Sequence, residues 1–226
     1  QRRQAGGPIS FMFRNATAFS SDLSGWCVDD FSARPTEFSD NSFGVVEPLW
    51  GFCPSTASAD DINLTYTVPA NETVELYIDA GPDWAFVDWG NGEHTLLAAN
   101  SAGSVSQTYA NAGAYTVRLV GTIDLFSTYN EVADVQMAGA DRLTSVNSLG
   151  DTGLWTFSLR GTSAALLSVP TSLPSSVTSL ARVLRDSAAN PTGVGSWDVS
   201  NVTSLSGAFW GASNFNQDIS GWDISN

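Results

Sequence analysis

The sequence predicts a mainly β protein in which solenoid turns with a 25-residue period enclose an inserted β-sandwich. Three observations support this prediction. Residues 197–201 read WDVSN, and residues 222–226, 25 positions later, read WDISN. Residues 62–68 (INLTYTV) alternate apolar and polar side chains, as half-buried strands do. Only 14% of the residues are charged and 11% are aromatic, a composition that favours short strands and turns over surface helices.

The 25-residue spacing extends upstream of these motifs. Residues 177–180 (VTSL) return as residues 202–205, and Leu159, Leu184 and Phe209 also lie 25 positions apart. A solenoid turn cannot bury its apolar face alone. We therefore expect equivalent side chains of successive turns to lie over one another in a continuous core.

The start of the chain follows the same register. Residues 13–19 and 22–26 match residues 209–215 and 218–222 at a constant offset of 196. Both ends of the chain are therefore predicted to be solenoid turns, and the segment between them holds an insert. The predicted repeat-core residues are Phe13, Phe19, Trp26, Trp197, Phe209, Phe215 and Trp222.

The insert is predicted to consist of strands joined by short turns. After the first alternating segment, residues 74–78 (VELYI) alternate again. Residues 86–89 then run into residues 90–92 (GNG), whose residue types tolerate positive φ. Residues 109–121 add a loop and a further strand. These elements predict a β-sandwich of roughly 60 residues.

Residues 197–226 resemble the turns of BspA-type leucine-rich-repeat surface proteins, which read approximately W-D-V-S-N-V-T and then F-N-x-D-I-S-G. The chain departs from that pattern at Leu205 and Ala208, where the family has Met, and at residues 190–193 (NPTG). The resemblance implies a secreted or surface-attached bacterial, protist or viral protein. It also implies a role in adhesion or as a scaffold, with no catalytic residues.

The insert is similar to the polycystic-kidney-disease-type sandwich, an immunoglobulin-like fold. The W-G-D-G motif of that type stands here as WGNG at residues 89–92, and QTY at residues 107–109 replaces H-x-Y. This resemblance implies a spacer that makes protein or glycan contacts. The predicted domains are residues 1–9 as an N-terminal extension, 10–58 as a solenoid turn with a disulfide-closed loop, 59–124 as the sandwich and 125–226 as the solenoid.

Cys27 and Cys53 are the only cysteines in the chain. Because the resemblance implies an extracellular protein, we interpret them as one disulfide, with two free buried thiols as the alternative. Closing this loop would destabilise the unfolded state by about 3.5 kcal/mol on the chain-entropy model. Zinc is not expected, since two Cys and one His leave four-coordination incomplete without carboxylates.

Charge and hydropathy exclude two classes of partner. The net charge of −14 argues against nucleic-acid binding, because phosphate contacts require Lys and Arg. No run of residues approaches the roughly 20 apolar positions that a membrane span needs. Residues 1–8 lack the apolar core of a signal peptide, so the start is interpreted as a processed end or a cut.

We expect no enzymatic activity. His94, the only histidine, lies in a predicted hairpin turn, and no G-x-S-x-G, P-loop, G-x-G-x-x-G or H-E-x-x-H motif is present. A glycosidase needs only two carboxylates. Asp198 and Asp223 share one repeat position, however, and Asp22 and Asp218 share another. Repeated positions supply similar environments, whereas acid and base catalysis needs dissimilar ones.

Stacked carboxylates repel one another. A Ca²⁺ ion at Asp198 and Asp223 is one interpretation of the repeated acids, and solvated, salt-screened carboxylates are the other. A second candidate calcium cluster in the insert consists of Asp79, Asp83 and Asp88. No other cofactor is predicted.

Trp210 is the predicted contact for a ligand or partner. It replaces Arg14 and Arg185 at its repeat position, so packing does not dictate an aromatic residue there. The expected function is an extracellular structural or adhesive module of a cell surface, filament or fibre. The alternative is a carbohydrate- or receptor-binding module, for example of a viral fibre.

The 25-residue repeat register at the end of the chain continues at its start. Asn226 occupies the repeat position of Asn201, and residue 6 occupies that of Val202. Either units of this kind follow one another in a longer tandem array, or separate subunits stack head to tail through open solenoid ends. The expected partner is therefore another copy of the chain, alongside surface glycans or other surface proteins.

Four segments match the N-glycosylation acceptor pattern N-x-S/T. In a eukaryotic source they would be modified only where they are exposed. Their asparagines are Asn15, Asn63, Asn71 and Asn201.

Overall fold

The structure is a computed structural model that describes residues 9–21, 23, 26, 28, 35–41, 45 and 60–225. The chain divides into two compact units, Gln1–Ala57 and Ser58–Asn226. The described strands all lie in the second unit. They are β1 (Ile62–Val68), β2 (Glu72–Asp88), β3 (His94–Leu97), β4 (Ala102–Tyr109), β5 (Gly113–Ser127), β6 (Tyr129–Asn130), β7 (Val135–Gln136), β8 (Leu143–Leu149) and β9 (Thr156–Ser158).

The prediction of a mainly β fold is confirmed. Among the described residues the only helices are two single 3-10 turns, Ala140–Arg142 and Val194–Ser196. Seven strands form one sheet, in which β1 to β5 and β8 pair antiparallel and β9 pairs parallel with β5. The short strands β6 and β7 pair with each other.

Strand β2 pairs with β5 in two segments that are separated by register shifts. The first half of β2 pairs with β4 and with the end of β5. The last four residues of β2 pair with β3 and with the middle of β5, after register shifts at Ala80 and Ala85. Both halves contribute buried side chains to one hydrophobic core.

The predicted strand at residues 62–68 coincides with β1. Its apolar residues Ile62, Leu64, Tyr66 and Val68 are buried, because β1 lies between β5 and β8 and turns one face to the core. Strand β8 was not predicted. Its buried residues do not alternate, since two register shifts interrupt its pairing with β1.

The turn between β2 and β3 requires a glycine. Gly90 has a φ of +72°, and a Cβ atom there would lie 2.5 Å from the backbone oxygen of Thr116. Trp89, which precedes it, is fully buried. The Trp89 carbonyl accepts a hydrogen bond of 2.9 Å from the Tyr109 hydroxyl, which joins the turn to β4.

After β8 the chain forms a series of similar segments, which we call windings. Parallel bridges join Ser145 to Ser168 and Ser168 to Thr192, so that each bridge links one winding to the next. A second row joins Thr156 to Ser179 and Ser179 to Ser204. Because Thr156 also pairs with Leu125 of β5, the second row continues the sheet into the windings.

Aromatic side chains stack along the same direction. The ring of Phe126 in β5 lies 5.6 Å from that of Phe157 in β9, and Phe157 lies 5.9 Å from Trp197. The rings of Trp197 and Trp222 are 6.3 Å apart and inclined by 16°. The core of the sheet and the core of the windings are therefore continuous.

The first unit shows the same type of ladder. Phe11, Phe13 and Asn15 donate their backbone N–H groups to carbonyl oxygens that lie one repeat later in the chain. The Phe13 ring packs 4.3 Å from Phe19 and 6.1 Å from Trp26. Trp26, which the sequence predicts to be a core residue, is 36% exposed. The local pattern of N–H donors and stacked rings thus matches that of the windings in the second unit.

The close approach of successive windings leads to a prediction at Gly193. This residue has a φ of +107°, and a Cβ atom would lie 2.2 Å from the Val169 carbonyl oxygen of the preceding winding. We expect Gly193→Ala to lower the free energy of unfolding by about 1–3 kcal/mol, the usual cost of a strained backbone position. Urea denaturation measures the change.

Gly221→Ala is the matched control, because a Cβ atom at Gly221 would have no neighbour within 4 Å and the residue has no positive φ. It should leave the stability within about 0.5 kcal/mol of the parent protein. Equal effects of the two substitutions would contradict the proposed contact between windings.

Candidate functional site

Residues 205–211 contain a row of backbone amides that have no backbone acceptor among the described residues. In the preceding winding, every second amide from Leu180 to Asp186 donates to a carbonyl oxygen of the winding that follows. The equivalent amides of the last winding have no backbone acceptor among the described residues. They belong to Leu205, Gly207, Phe209 and Gly211.

An apolar groove of about 390 Å³ lies beside these amides. We call this groove and the four amides the end face. The groove is lined by Leu205, Gly207, Ala208, Phe209, Trp210, Ile219, Trp222 and Ile224.

Residues of the repeat core become exposed at the end face. Val199 is 2% exposed, whereas its repeat equivalent Ile224 is 69% exposed. The same holds for the first unit, where Met12 is 51% exposed and its repeat equivalent Val183 is fully buried. Apolar side chains at repeat-core positions are thus exposed in both repeat stretches.

Residues 9–19, which we call the front turn, have the geometry of the last winding. The Phe13 and Phe19 rings are 4.3 Å apart and inclined by 8°, and the Phe209 and Phe215 rings are 4.2 Å apart and inclined by 19°. The front turn has backbone carbonyls without backbone donors among the described residues. They belong to Ser10, Met12 and Arg14. In the windings, the equivalent carbonyls accept hydrogen bonds from the preceding winding.

Trp210 lies at the rim of the end face and is 67% exposed. The Arg185 guanidinium of the preceding winding lies 4.6 Å from the centre of its ring, which is a cation–π contact. One face of the indole is therefore covered by Arg185. Whether Trp210 contacts a ligand or partner stays a prediction.

The aspartates at the repeated position accept hydrogen bonds from serines within their own turns. The Ser200 amide donates to an Asp198 carboxylate oxygen over 3.0 Å, and the Ser225 amide donates to Asp223 over 3.1 Å. The hydroxyl and then the amide of these serines lower the pKa of Asp198 and Asp223. Each carboxylate therefore stabilises a local turn.

Asp218 makes the same kind of turn. The Ser220 amide donates to its carboxylate over 2.9 Å and is the main cause of its lowered pKa. The serine hydroxyl adds to the effect. A hydrogen bond that favours the charged form lowers the pKa of an acid.

The second predicted calcium cluster has a different arrangement. Asp88 lies 3.4 Å from the Arg118 guanidinium, which also pairs with the buried Asp61 at 2.8 Å. Burial and the nearby Asp124 carboxylate raise the pKa of Asp79. The side chain of Asp83 lies outside the described part of the chain. In that part, no group of three or more His, Cys, Asp or Glu side chains is placed to hold a metal ion.

Several predicted residues lie outside the described residues or have other contacts. Cys27, Cys53 and Asp22 fall outside them, so the disulfide stays a prediction.

His94 begins β3, and its ring lies 5.3 Å from Phe86. Of the four glycosylation asparagines, Asn63 is buried and donates to Ser148 over 2.8 Å, whereas Asn15, Asn71 and Asn201 are exposed.

Comparison with known families gives one match. The family described as "Mycoplasma protein of unknown function, DUF285" matches residues 6–43 and 167–226, which together are less than half of the chain. This family is of the surface-protein type found in BspA-like proteins. The chain is therefore similar to BspA-like proteins in both repeat stretches, and the match includes neither a leucine-rich-repeat class nor a polycystic-kidney-disease type. Searches of curated proteins and of solved structures gave no match.

The described part of the structure contains no helix with the length and hydrophobicity needed to cross a lipid bilayer. Sequence analysis predicted a contact at Trp210 and a common repeat register of the two ends. It did not predict that the amides beside Trp210 have no backbone acceptor among the described residues. Within a winding, every second backbone amide donates to the winding that follows. This alternation is a property of the backbone, so the residue types do not reveal it.

The lowered pKa values predict an acid-sensitive contribution to stability. A carboxylate whose pKa is lower in the folded state stabilises the protein above its unfolded pKa, and this contribution is lost as the pH falls through the folded value. We therefore expect stability to fall below about pH 4. Asp198→Asn keeps the turn acceptor but should flatten this part of the pH profile, measured by urea denaturation. In an NMR titration the midpoint of Asp79 should lie above those of Asp198, Asp218 and Asp223.

Removal of calcium should leave the melting temperature unchanged. Asp198 and Asp223 are already engaged by serine donors, and Asp88 is paired with Arg118. Calorimetry with Ca²⁺ and then with a chelator tests this expectation. A rise in melting temperature on adding Ca²⁺, lost in Asp223→Asn, would instead support a bound ion at the repeated acids.

Proposed function

We propose that the protein is a non-enzymatic, extracellular structural or adhesive module of a cell surface, filament or fibre. In this proposal, copies assemble head to tail through the end face and the front turn. The observation that carries the proposal is that the end face has amides, and the front turn has carbonyls in matching register, without backbone partners among the described residues. The similarity of both repeat stretches to a family found in BspA-like surface proteins supports the location.

We further infer that the windings are turns of a leucine-rich-repeat-like solenoid. The parallel bridges between successive windings and the stacked Trp197 and Trp222 rings support this inference. The insert would be a spacer of the polycystic-kidney-disease type. The buried Trp89, the tight turn at Gly90 and the hydrogen bond from Tyr109 to Trp89 support that assignment.

The register of the contact follows from the repeat. Extending the ladder by one winding places the front turn of a second copy over the end face. The amides of Gly207, Phe209 and Gly211 would then donate to the carbonyls of Ser10, Met12 and Arg14 in that copy. Such edges, left unpaired, are templates for association. A heterologous contact of this kind propagates into a filament.

The same register accounts for Trp210. Arg14 is the repeat equivalent of Trp210, so Arg14 of the second copy would lie over the free face of the indole. Trp210 would then be held between two guanidinium groups, Arg185 of its own copy and Arg14 of the next. Arg14 is already held by Glu37 at 2.7 Å, which limits the entropy lost on contact.

A longer polypeptide in which further windings follow residue 226 would use the same contact within one chain. The tandem-array and head-to-tail arrangements therefore share one interface and differ only in whether a peptide bond crosses it. Protease treatment of intact source cells tests the location, because an extracellular protein would be removed and a protein inside the cell would be protected.

Ile224→Glu should weaken the assembly. Burying this side chain in a contact is worth about 1.5–3 kcal/mol, so we expect self-association to weaken by about 10- to 100-fold. Light scattering over a concentration series and negative-stain electron microscopy measure the effect. Because Ile224 is largely exposed, the substitution should leave the fold intact.

Leu167→Glu is the matched control. Leu167 is also exposed, but it lies in an interior winding, between Thr144 and Thr192 of its neighbours. It should assemble as the parent protein does. Equal weakening by both substitutions would point to nonspecific association. A parent protein that stays a monodisperse monomer at high concentration would contradict stacking of separate copies.

The second candidate function is a carbohydrate-binding module. A separate groove in the second unit favours it, and its geometry is independent of the end face.

A further inference from the structure

A second groove, of about 310 Å³, lies over the continuous sheet of β2, β5, β9 and the windings. Its floor follows one row of paired residues. Asp79 pairs with Leu125, Leu125 with Thr156, and Thr156 with Ser179. Asp79 and Thr156 are two strand spacings apart, about 10 Å. The floor therefore offers the polar side chains of Asp79, Thr156 and Ser179, with the apolar Leu125 among them, over a length that fits about two sugar rings.

Trp155 forms one wall of the groove and is 45% exposed. Its amide donates to the Asp124 carbonyl over 3.1 Å, and its carbonyl accepts from the Thr178 amide over 3.0 Å. The indole is thus attached to a backbone fixed on both sides. Such a side chain loses little conformational freedom when it binds a ligand.

Packing does not require an aromatic residue at position 155. The paired row places Thr178 and Thr203 at the equivalent positions of the next two windings, and both are exposed. An exposed indole among threonines is a surface that core formation does not explain.

The opposite wall is a fixed ion-pair cluster. Glu131 accepts hydrogen bonds from Arg160 over 2.9 Å and from Arg182 over 3.1 Å. The Arg160 guanidinium lies 3.6 Å from the centre of the Tyr129 ring. The Asn130 side chain accepts from the amides of the next loop residues and holds the loop in place. This wall is therefore preorganised.

The Asp79 carboxylate has no hydrogen-bond or ion-pair partner among the described residues. It lines the groove on the side of the sheet. Burial and the neighbouring Asp124 carboxylate disfavour its charged form and raise its pKa. Hydroxyl donors from a ligand would relieve this penalty, because hydrogen bonds to a carboxylate stabilise it.

We propose that this groove binds a neutral oligosaccharide, with the apolar face of one pyranose ring stacked on Trp155 and sugar hydroxyls donating to Asp79. Sugars combine a flat apolar face with many hydroxyl groups, and the groove pairs an aromatic wall with polar floor residues. The inference gives a ligand class to the second candidate function and does not depend on assembly through the end face.

Other ligand classes fit less well. A peptide strand has no free sheet edge to pair with, since the floor is an interior row of the ladder. Anions are disfavoured by Asp79 and by the net charge of −14. Cations meet the guanidinium of Arg182 in the opposite wall. A neutral, hydroxyl-rich ligand avoids all three penalties.

The test uses the Ile224→Glu protein, so that assembly does not obscure binding. Neutral disaccharides of glucose, galactose, mannose and N-acetylglucosamine are titrated to millimolar concentration, and the indole N–H signals are followed by NMR. We expect at least one sugar to shift the Trp155 signal. Trp155→Ala should weaken binding about tenfold or more, and Trp155→Phe should restore part of it.

Leu167→Ala is the control, because Leu167 is an exposed apolar residue outside this groove and outside the end face. It should bind sugar as its parent does. Asp79→Asn, which keeps the shape but not the charge, should weaken binding by less than Trp155→Ala. The proposal is overturned if no disaccharide shifts the Trp155 signal, if binding survives in Trp155→Ala, or if tetramethylammonium shifts that signal while the sugars do not.

Discussion

A winding of this chain has no complete core until another winding covers it. The aromatic stack from Phe126 through Phe157 and Trp197 to Trp222 shows how this constraint is met. The sheet supplies the first covered layer, and each winding then covers the one before it. Backbone N–H groups and carbonyls pair in the same direction, so packing and hydrogen bonding share one axis.

That constraint also explains why the end face and the groove beside Trp155 differ in the chemical groups that they expose. The end face exposes core positions such as Ile224 together with amides that have no backbone acceptor among the described residues. The groove beside Trp155 lies on the flank of the stack, where the floor residues Asp79, Leu125, Thr156 and Ser179 pair along one row. The end face therefore suits another winding, and the flank suits a ligand that brings its own hydrogen-bonding groups. Both surfaces arise from the same series of hydrogen-bonded windings.

Much of the fold could be predicted from residue spacing. The alternation at residues 62–68 identified β1, because a strand with one face in the core must alternate. The offset of 196 identified the front turn, whose Phe13 and Phe19 stack as Phe209 and Phe215 do. Strand β8 escaped prediction, since its two register shifts break the alternation that a strand prediction needs.

The sequence by itself determined the repeat register, and with it which side chains share a core position, because stacked windings must present equivalent residues at equivalent places. Only the tertiary structure decided which residues from distant parts of the chain become neighbours across the sheet. Arg118 pairs with Asp61, 57 positions away, and Asp79 faces the groove that Trp155 lines. These contacts depend on the pairing of β5 with β1, β2 and β9, which brings distant segments together. No spacing along the chain encodes that proximity.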